Sequence, residues 1–341
     1  MGGTRPTMAD VAREAGISTA LVSIVMRGAP GASEATRARV KRIAEEMGYV
    51  PDDRARKLRR ARSRLLGVAF HLQHPFHADL VEEIYAATAD SGYEVALSAV
   101  TPRRDQATAA RALLRERCDA VVLLGGGMDG AALARLADQV PTLFVTGPCA
   151  VPGVGVVRAD DVTGVSLAVD HLVGLGHRGI AHIDGGTAAG AAERRTGFLD
   201  AARRHGLADT VEVVGGGPTE VEGAAGAREL LARREPPTAV VAFNDRCALG
   251  VLEALARAGV GVPERMSVVG YDDSRFARSA FTRITTVAQD AELMARTAVS
   301  GALARIDGAA PAEAVLPVRL VAGETTGPAA AAGAPPGGLQ V

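Results

Sequence analysis

A chain of 341 residues is longer than one hydrophobic core usually serves, so it predicts a small unit joined to larger lobes, and a hydrophobic content of 48% is enough to fill them. The formal net charge of −1 hides a division: residues 1–64 hold 14 Lys and Arg against 7 Asp and Glu, which leaves a basic head on an acidic body and points to nucleic acid as a partner of the head. Cys118, Cys149 and Cys247 are far apart and lack CxxC spacing, no apolar run approaches the roughly 20 residues of a membrane span, and the N-terminus lacks a signal peptide's apolar core, so a disulfide scaffold, a metal site and a membrane protein are excluded and a cytoplasmic chain is expected.

In chain order, Thr7 to Met26 predicts two short helices joined by a turn. Thr7 and Asp10 have the spacing of a capping box, and Val11, Ala12 and Ala15 recur at helical spacing. Gly16 can stop that helix in the left-handed conformation, Ile17 fills the angle, and Ser18 caps the next helix, Thr19 to Met26. On this second helix Val22 and Val25 point inward, while Thr19, Ala20, Ser23, Ile24 and Arg27 face out, which is the layout of a recognition helix in a major groove. Ser33 opens a third helix reaching Met47, with Val40, Ile43 and Ala44 on its inner face, and Gly48 and Pro51 end it. Residues 52–64 carry seven basic residues and few apolar ones, the composition of a solvated linker.

From Leu65 the pattern becomes short apolar runs alternating with helical stretches: LLGVAF, YEVALSAV, DAVVLL and TLFV, then GIAHID, TVEVV, TAVVAF and MSVVGY. This βαβ rhythm predicts parallel sheets covered on both faces, and two series predict two lobes. Ligands of such sheets bind beyond the carboxyl ends of the strands, so the cleft between the lobes is the expected site. The last residues, from Pro328, are Ala/Gly/Pro-rich and are expected to be disordered.

The helix pair resembles the N-terminus of the LacI (lactose repressor) family at DVAxxAGxS and at the VS pair Val22–Ser23, and the likeness continues through EEMGYVPDDRARKL. It extends over the body at HLVGLGHRGIAHIDG, ERRTGFLDA, AFNDRCALGVLEAL, and SVVGYDDS followed by TTVAQD, reaching about Gly327. The resemblance implies an all-α helix-turn-helix head over 1–51, a hinge over 52–64, an α/β two-lobed periplasmic-binding-protein-like body over 65–327, and a tail over 328–341. It assigns about 65–160 and 291–318 to the N-lobe and about 161–290 and 319–327 to the C-lobe. It also implies that the hinge folds on operator DNA, with Leu58 as a minor-groove wedge and Ala55 one turn earlier. The function implied is a homodimeric transcriptional regulator, usually a repressor, controlled by a small polar effector. The DNA contacts expected are Thr7, Ser18, Thr19, Ala20, Ser23, Ile24, Arg27, Ala55 and Leu58. Two of these depart from the family pattern: Ile24 stands where an Arg commonly follows the VS pair, and Arg27 where an Asn is frequent.

The residues just after strands are the pocket candidates: Phe76, Asp160, Arg195, Asn244, Asp272 and Gln289. Carboxylates, amides and a guanidinium converging on one cleft suit a polyhydroxylated ligand, whose hydroxyls both donate and accept. Asp245 is expected only to cap the helix it opens. Further departures are Ala191 in place of a frequent Ser, and a run from Gly216 to Thr219 without the aromatic that often stacks on the effector. No nucleophile elbow, HExxH or phosphate-binding Gly loop is present, so no catalytic residue, metal or cofactor is expected. A transport-associated solute-binding protein shares the body fold, but it would lack the DNA-binding head.

Overall fold

The computed structural model describes residues 6–26, 28–49, 62–278 and 283–329. The chain divides into two units, Met1–Ser63 and Arg64–Val341. In the first, α1 (Met8–Ala15), α2 (Thr19–Met26) and α3 (Glu34–Glu46) follow the capping signals of the sequence. The Thr7 hydroxyl accepts from Asp10 N at 3.3 Å, and the Asp10 carboxylate accepts from Thr7 N at 2.9 Å. Gly16 ends α1 at φ 62°, which only a residue without Cβ adopts cheaply. The Ile17 N–H then bonds back to Ala12 O, and Ser18 Oγ accepts from Leu21 N at 3.2 Å to start α2. Val11, Val22, Val25, Val40 and Ile43 bury between the three helices, joined by Tyr49, which caps the cluster from just beyond α3.

In the second unit, β1 (Leu65–His71), β2 (Glu94–Val100), β3 (Ala120–Leu124), β4 (Thr142–Val145), β5 (Val154–Ala159) and β11 (Glu313–Leu316) form one sheet, in the order β11-β5-β4-β3-β1-β2. Its helices are α4 (Pro75–Thr88), α5 (Gln106–Arg115), α6 (Gly130–Ala137) and α11 (Ala291–Ile306). A second sheet orders β6 (Ile180–Ile183), β7 (Val211–Val214), β8 (Ala239–Ala242), β9 (Ser267–Asp272), β10 (Thr285–Gln289) and β12 (Val318–Val321) as β12-β10-β9-β8-β6-β7. It carries α7 (Asp161–Gly174), α8 (Ala191–Arg204), α9 (Glu220–Leu231) and α10 (Asp245–Arg257). All ladders are parallel except β10 with β12. Each sheet is buried on both faces, one apolar cluster per face, which is why its strands read as unbroken runs such as AVVLL.

The chain passes between the sheets three times: at Asp160, at Asp290 and at Pro317. Two strands had no clear sequence signal. β5 lies behind a Pro–Gly pair, and β11 is a half-exposed edge strand, EAVL. In both sheets the strand order reverses beside the first strand, between β1 and β3 and between β6 and β8. A ligand crevice belongs at such a reversal, beyond the carboxyl ends of the strands.

Candidate functional site

A cleft of about 530 Å³ opens where the two reversals face each other. From the N-lobe it is lined by His71 at the end of β1, by His74, Phe76 and His77 beyond it, by the Gly125–Gly127 loop after β3, and by Thr146 after β4. From the C-lobe come the loops after β6, β7 and β8, together with Arg194, Glu222, Asp272 and Gln289.

Arg194 is the centre of its polar wall. Its Nε donates to Asp161 Oδ1 at 2.8 Å and its Nη1 to Phe243 O at 2.7 Å. The guanidinium carbon lies 3.6 Å from the Tyr271 ring centroid and 4.6 Å from that of Phe243. Burial opposes its charge, but Asp161, Tyr271 and Asp272 outweigh burial, and the pKa sits above the ordinary arginine value. Nη2, 3.9 Å from Asp272 Oδ1, is left toward the cleft. Burial pushes the Asp272 carboxyl up to about 8, against the pull of Arg194. Its other oxygen-bound partner is Gln289, whose Nε2 donates to Oδ1 at 2.7 Å. Asp272 also holds φ 112°, a conformation that costs a non-glycine residue on the order of 1–3 kcal/mol and that clusters at binding sites.

Opposite stand three imidazoles. His74 and His77 stack with ring centroids 4.3 Å apart, and His77 Nδ1 accepts from His71 N at 3.1 Å. Burial depresses both His74, to about 3, and His77, so each is neutral and able to donate through one nitrogen and accept through the other. His74 Nδ1 finds no partner among the described residues.

Phe76, Asp272 and Gln289 thus line the cleft, but three other expected pocket residues do not. Asp160 is the cap of α7, accepting from Thr163 N at 3.1 Å, and its neighbour Asp161 turns inward instead. Arg195 is 52% exposed and pairs with Asp184, whereas Arg194 is 5% exposed and faces the cleft. Asn244 spends its side chain as the cap of α10, accepting from Cys247 N at 2.8 Å and donating to Pro218 O at 3.2 Å. Asp245, expected to cap, is buried and accepts from Ser274 N at 2.7 Å and Thr286 Oγ1 at 2.6 Å, tying the loop after β9 to β10. Sequence reasoning missed the three histidines as pocket residues. Their spacing, HxxHxxH across a strand end and a helix start, was the signal available.

In the head, Thr19 and Ala20 are exposed and Ser23 and Ile24 half-buried on α2, while Thr7 and Ser18 are exposed caps. Arg27, Ala55 and Leu58 lie outside the described residues. No helix among the described residues is long and apolar enough to cross a membrane, and no group of three or more His, Cys, Asp or Glu there is placed to hold a metal.

Residues 7–52 match the bacterial regulatory proteins of the lacI family, and residues 169–326 match a periplasmic-binding-protein-like domain. A LacI transcriptional regulator from a Rhodococcus species is 58% identical over 78% of this chain and all of its own, with a TM-score of 0.77. The transcriptional regulator CelR in complex with cellobiose is 31% identical over 94% of this chain and 100% of that one, with a TM-score of 0.69. The lac repressor dimer bound to operator and the anti-inducer ONPF is 29% identical over 95% of this chain and 100% of that one, with a TM-score of 0.81.

The chain belongs to the LacI family. It is a DNA-binding transcriptional regulator, with a helix-turn-helix head and a two-lobed α/β body. In this LacI-family regulator α2 has the place of the recognition helix, because α1 and α3 bury Val22 and Val25 and leave the opposite face of α2 uncovered within the head.

Proposed function

We propose that this regulator binds operator DNA as a homodimer in the cytoplasm and that a small polyhydroxylated effector, a sugar or related metabolite, controls that binding from the interlobe cleft. The observation that carries the effector reading is Arg194: a guanidinium held on two sides by Asp161 and Phe243 O, with its remaining edge directed beside Asp272 and Gln289. Facing these groups, the neutral imidazoles of His74 and His77 supply donors and acceptors without net charge, which suits hydroxyls rather than an anion. The CelR–cellobiose complex supports a sugar, and the operator-bound lac repressor supports the dimer. Exposed apolar side chains on the body, among them Tyr85, Leu97, Val221 and Phe276, offer area for a second copy to cover. Thr7, Ser18, Thr19, Ala20, Ser23, Ile24 and Arg27 are the proposed operator contacts, with Ala55 and Leu58 from the hinge. Its role is regulation, mostly repression in this family, rather than catalysis.

The test is a thermal-shift screen of the full chain against sugars and related metabolites, followed by operator titrations with each hit. A ligand of the folded state raises stability by RT ln(1 + [L]/Kd). At least one sugar should raise the melting temperature and change operator affinity. A panel in which no sugar does either overturns the effector reading, and a monomer that binds operator as tightly as the full protein overturns the dimer.

A further inference from the structure

Arg194 Nη1 donates to Phe243 O, and three residues further along the same segment, at the start of α10, Arg246 reaches out of the C-lobe. Its guanidinium is held on two sides. Nε and Nη2 grip the two carboxylate oxygens of Glu220, the first residue of α9, with the Nε bond at 2.8 Å, and Nη1 donates to Gln73 O of the N-lobe, also at 2.8 Å. Gln73 lies in the turn between His71, the last residue of β1, and His74, which precedes α4, and that turn is closed by His74 N on His71 O at 3.0 Å. The carbonyl that Arg246 holds therefore belongs to the segment that carries two imidazoles of the cleft's N-lobe wall.

The ion pair alone would be a stitch between α9 and α10, but those helices are already locked. They meet at Gly223 and Gly250, where a Cβ would collide with Cys247 O and Glu220 O, so backbone lies directly on backbone. Asn244 Nδ2 adds a bond to Pro218 O, in the loop before α9, at 3.2 Å. Glu220 is thus fixed by packing, and a two-point grip on a fixed carboxylate leaves the remaining edge of the planar guanidinium aimed in one direction. That direction is the N-lobe carbonyl. Only 17% of the Arg246 side chain is exposed, which shelters the bond from competing water.

We infer that Arg246 is an interlobe clasp: a positioning residue that holds the turn of His71 and His74 on the C-lobe, with Glu220 as its anchor. Arg246 does not itself line the cleft, so it acts on the cleft through one backbone carbonyl. Phe243, which anchors Arg194, and Arg246, which clasps the N-lobe, are separated by three peptide units. A displacement of Arg194 therefore reaches the clasp along a short stretch of backbone, and the clasp weights the lobe arrangement between which a ligand must discriminate.

The experiment is hydrogen–deuterium exchange read by mass spectrometry on the full chain without added ligand, comparing wild type with Arg246→Ala, Arg246→Lys and Glu220→Gln. In the wild type the turn is protected by Leu72 N on Val100 O and His74 N on His71 O. Arg246→Ala should speed exchange over residues 71–78 by about fivefold or more, the effect of losing one hydrogen bond from a segment that opens locally. Peptides from β8, α9 and the later turns of α10 should stay within about twofold of wild type. Arg246→Lys keeps the charge but has no fork to hold Glu220 and Gln73 O in fixed geometry, so its turn should exchange at a rate between those of wild type and Arg246→Ala. Glu220→Gln weakens the anchor and should speed the same peptides in smaller measure. Unchanged exchange over 71–78 in Arg246→Ala overturns the clasp, and so does faster exchange confined to α9 and α10, which would make the arginine a stitch within the C-lobe. If Arg246→Ala loosens both lobes alike, Arg246→Lys decides: a turn loosened more than α9 and α10 upholds the clasp, and equal loosening overturns it.

Discussion

Arg194 and Asp161 form an ion pair in which neither side chain is more than 5% exposed, and Asp161 is the first residue of α7, where the chain has just crossed from the N-lobe. The guanidinium that faces the cleft is therefore anchored to a crossover between lobes. An effector that pulls on Arg194 acts on the segment that must bend when the lobes move, and it shifts the regulator only by its differential affinity for the two arrangements.

Removing one partner of such a pair leaves a buried, uncompensated charge. Asp161→Ala should destabilise the body by about 3–5 kcal/mol in urea unfolding. Arg194→Ala should weaken effector binding about tenfold or more, since a lost charged contact is worth about 1.5–3 kcal/mol. Arg195→Ala takes a half-exposed arginine from the buried Asp184, which keeps the Gly186 N–H as a partner, and should cost about 1–3 kcal/mol of stability while changing effector affinity hardly at all. Titration of the two arginine variants side by side decides this, and an equal loss in both would reinstate Arg195 as a ligand contact.

A side-chain link joins the two lobes outside the cleft. Arg275, in the loop after β9, donates through Nε and Nη2 to Asp79 on α4 at 3.0 and 2.7 Å, and Asp79 sits one turn beyond Phe76. Holding the lobes together before the effector arrives reduces the cost of selecting the closed arrangement. Asp79→Asn and Arg275→Gln should each weaken effector binding by a few-fold, with the double variant no worse than either, and the loss should shrink at high salt. Losses that simply add would show that the two residues do not act as a pair.

The buried ionisable groups predict a pH dependence with two opposed parts. Burial holds His182 at about 4, below its ordinary 6.5, so its contribution to stability is present above pH 6.5 and is lost as pH falls toward 4. A shift of that size is worth about 3 kcal/mol. Asp272 is shifted the other way, from 3.8 to about 8, so stability falls as pH rises through that window. Above pH 6.5 only the carboxyl slope remains, and Asp245, which burial raises to about 7, shares it with Asp272. Urea unfolding should show the protein losing stability from pH 6.5 to 8.5, and Asp272→Asn should reduce that loss while His182→Gln leaves it alone. A wild type equally stable at pH 6.5 and 8.5 would refute the assignment.

As a proposed operator contact, Ile24 has only an apolar side chain to offer a base edge, a thymine methyl being the natural partner. Selection from a random DNA pool should return a half-site with thymine where Ile24 reaches, and Ile24→Arg should move that position toward guanine with discrimination of about 1–3 kcal/mol. If the pools from wild type and variant are the same, Ile24 does not read that base.

What the amino-acid order determined by itself was whatever depends on neighbours within a few residues. The Thr7–Asp10 box, the Gly16 stop and the Ser33 cap close hydrogen bonds over three or four positions, and runs such as AVVLL need only be apolar on both sides to become central strands. The family landmarks placed the cleft for the same reason: polar residues after strands can lie only at the sheet's carboxyl edge. Which member of a polar pair enters the site was left to tertiary structure. At Asp160–Asp161, Arg194–Arg195 and Asn244–Asp245 either residue satisfies the local chemistry, since adjacent side chains at a helix start differ by about 100° in direction and both can cap or ion-pair. The packing of α7 on α8, and of α10 against β9 and β10, decides it, turning Asp161, Arg194 and Asp245 inward and leaving their neighbours to the surface or to the caps.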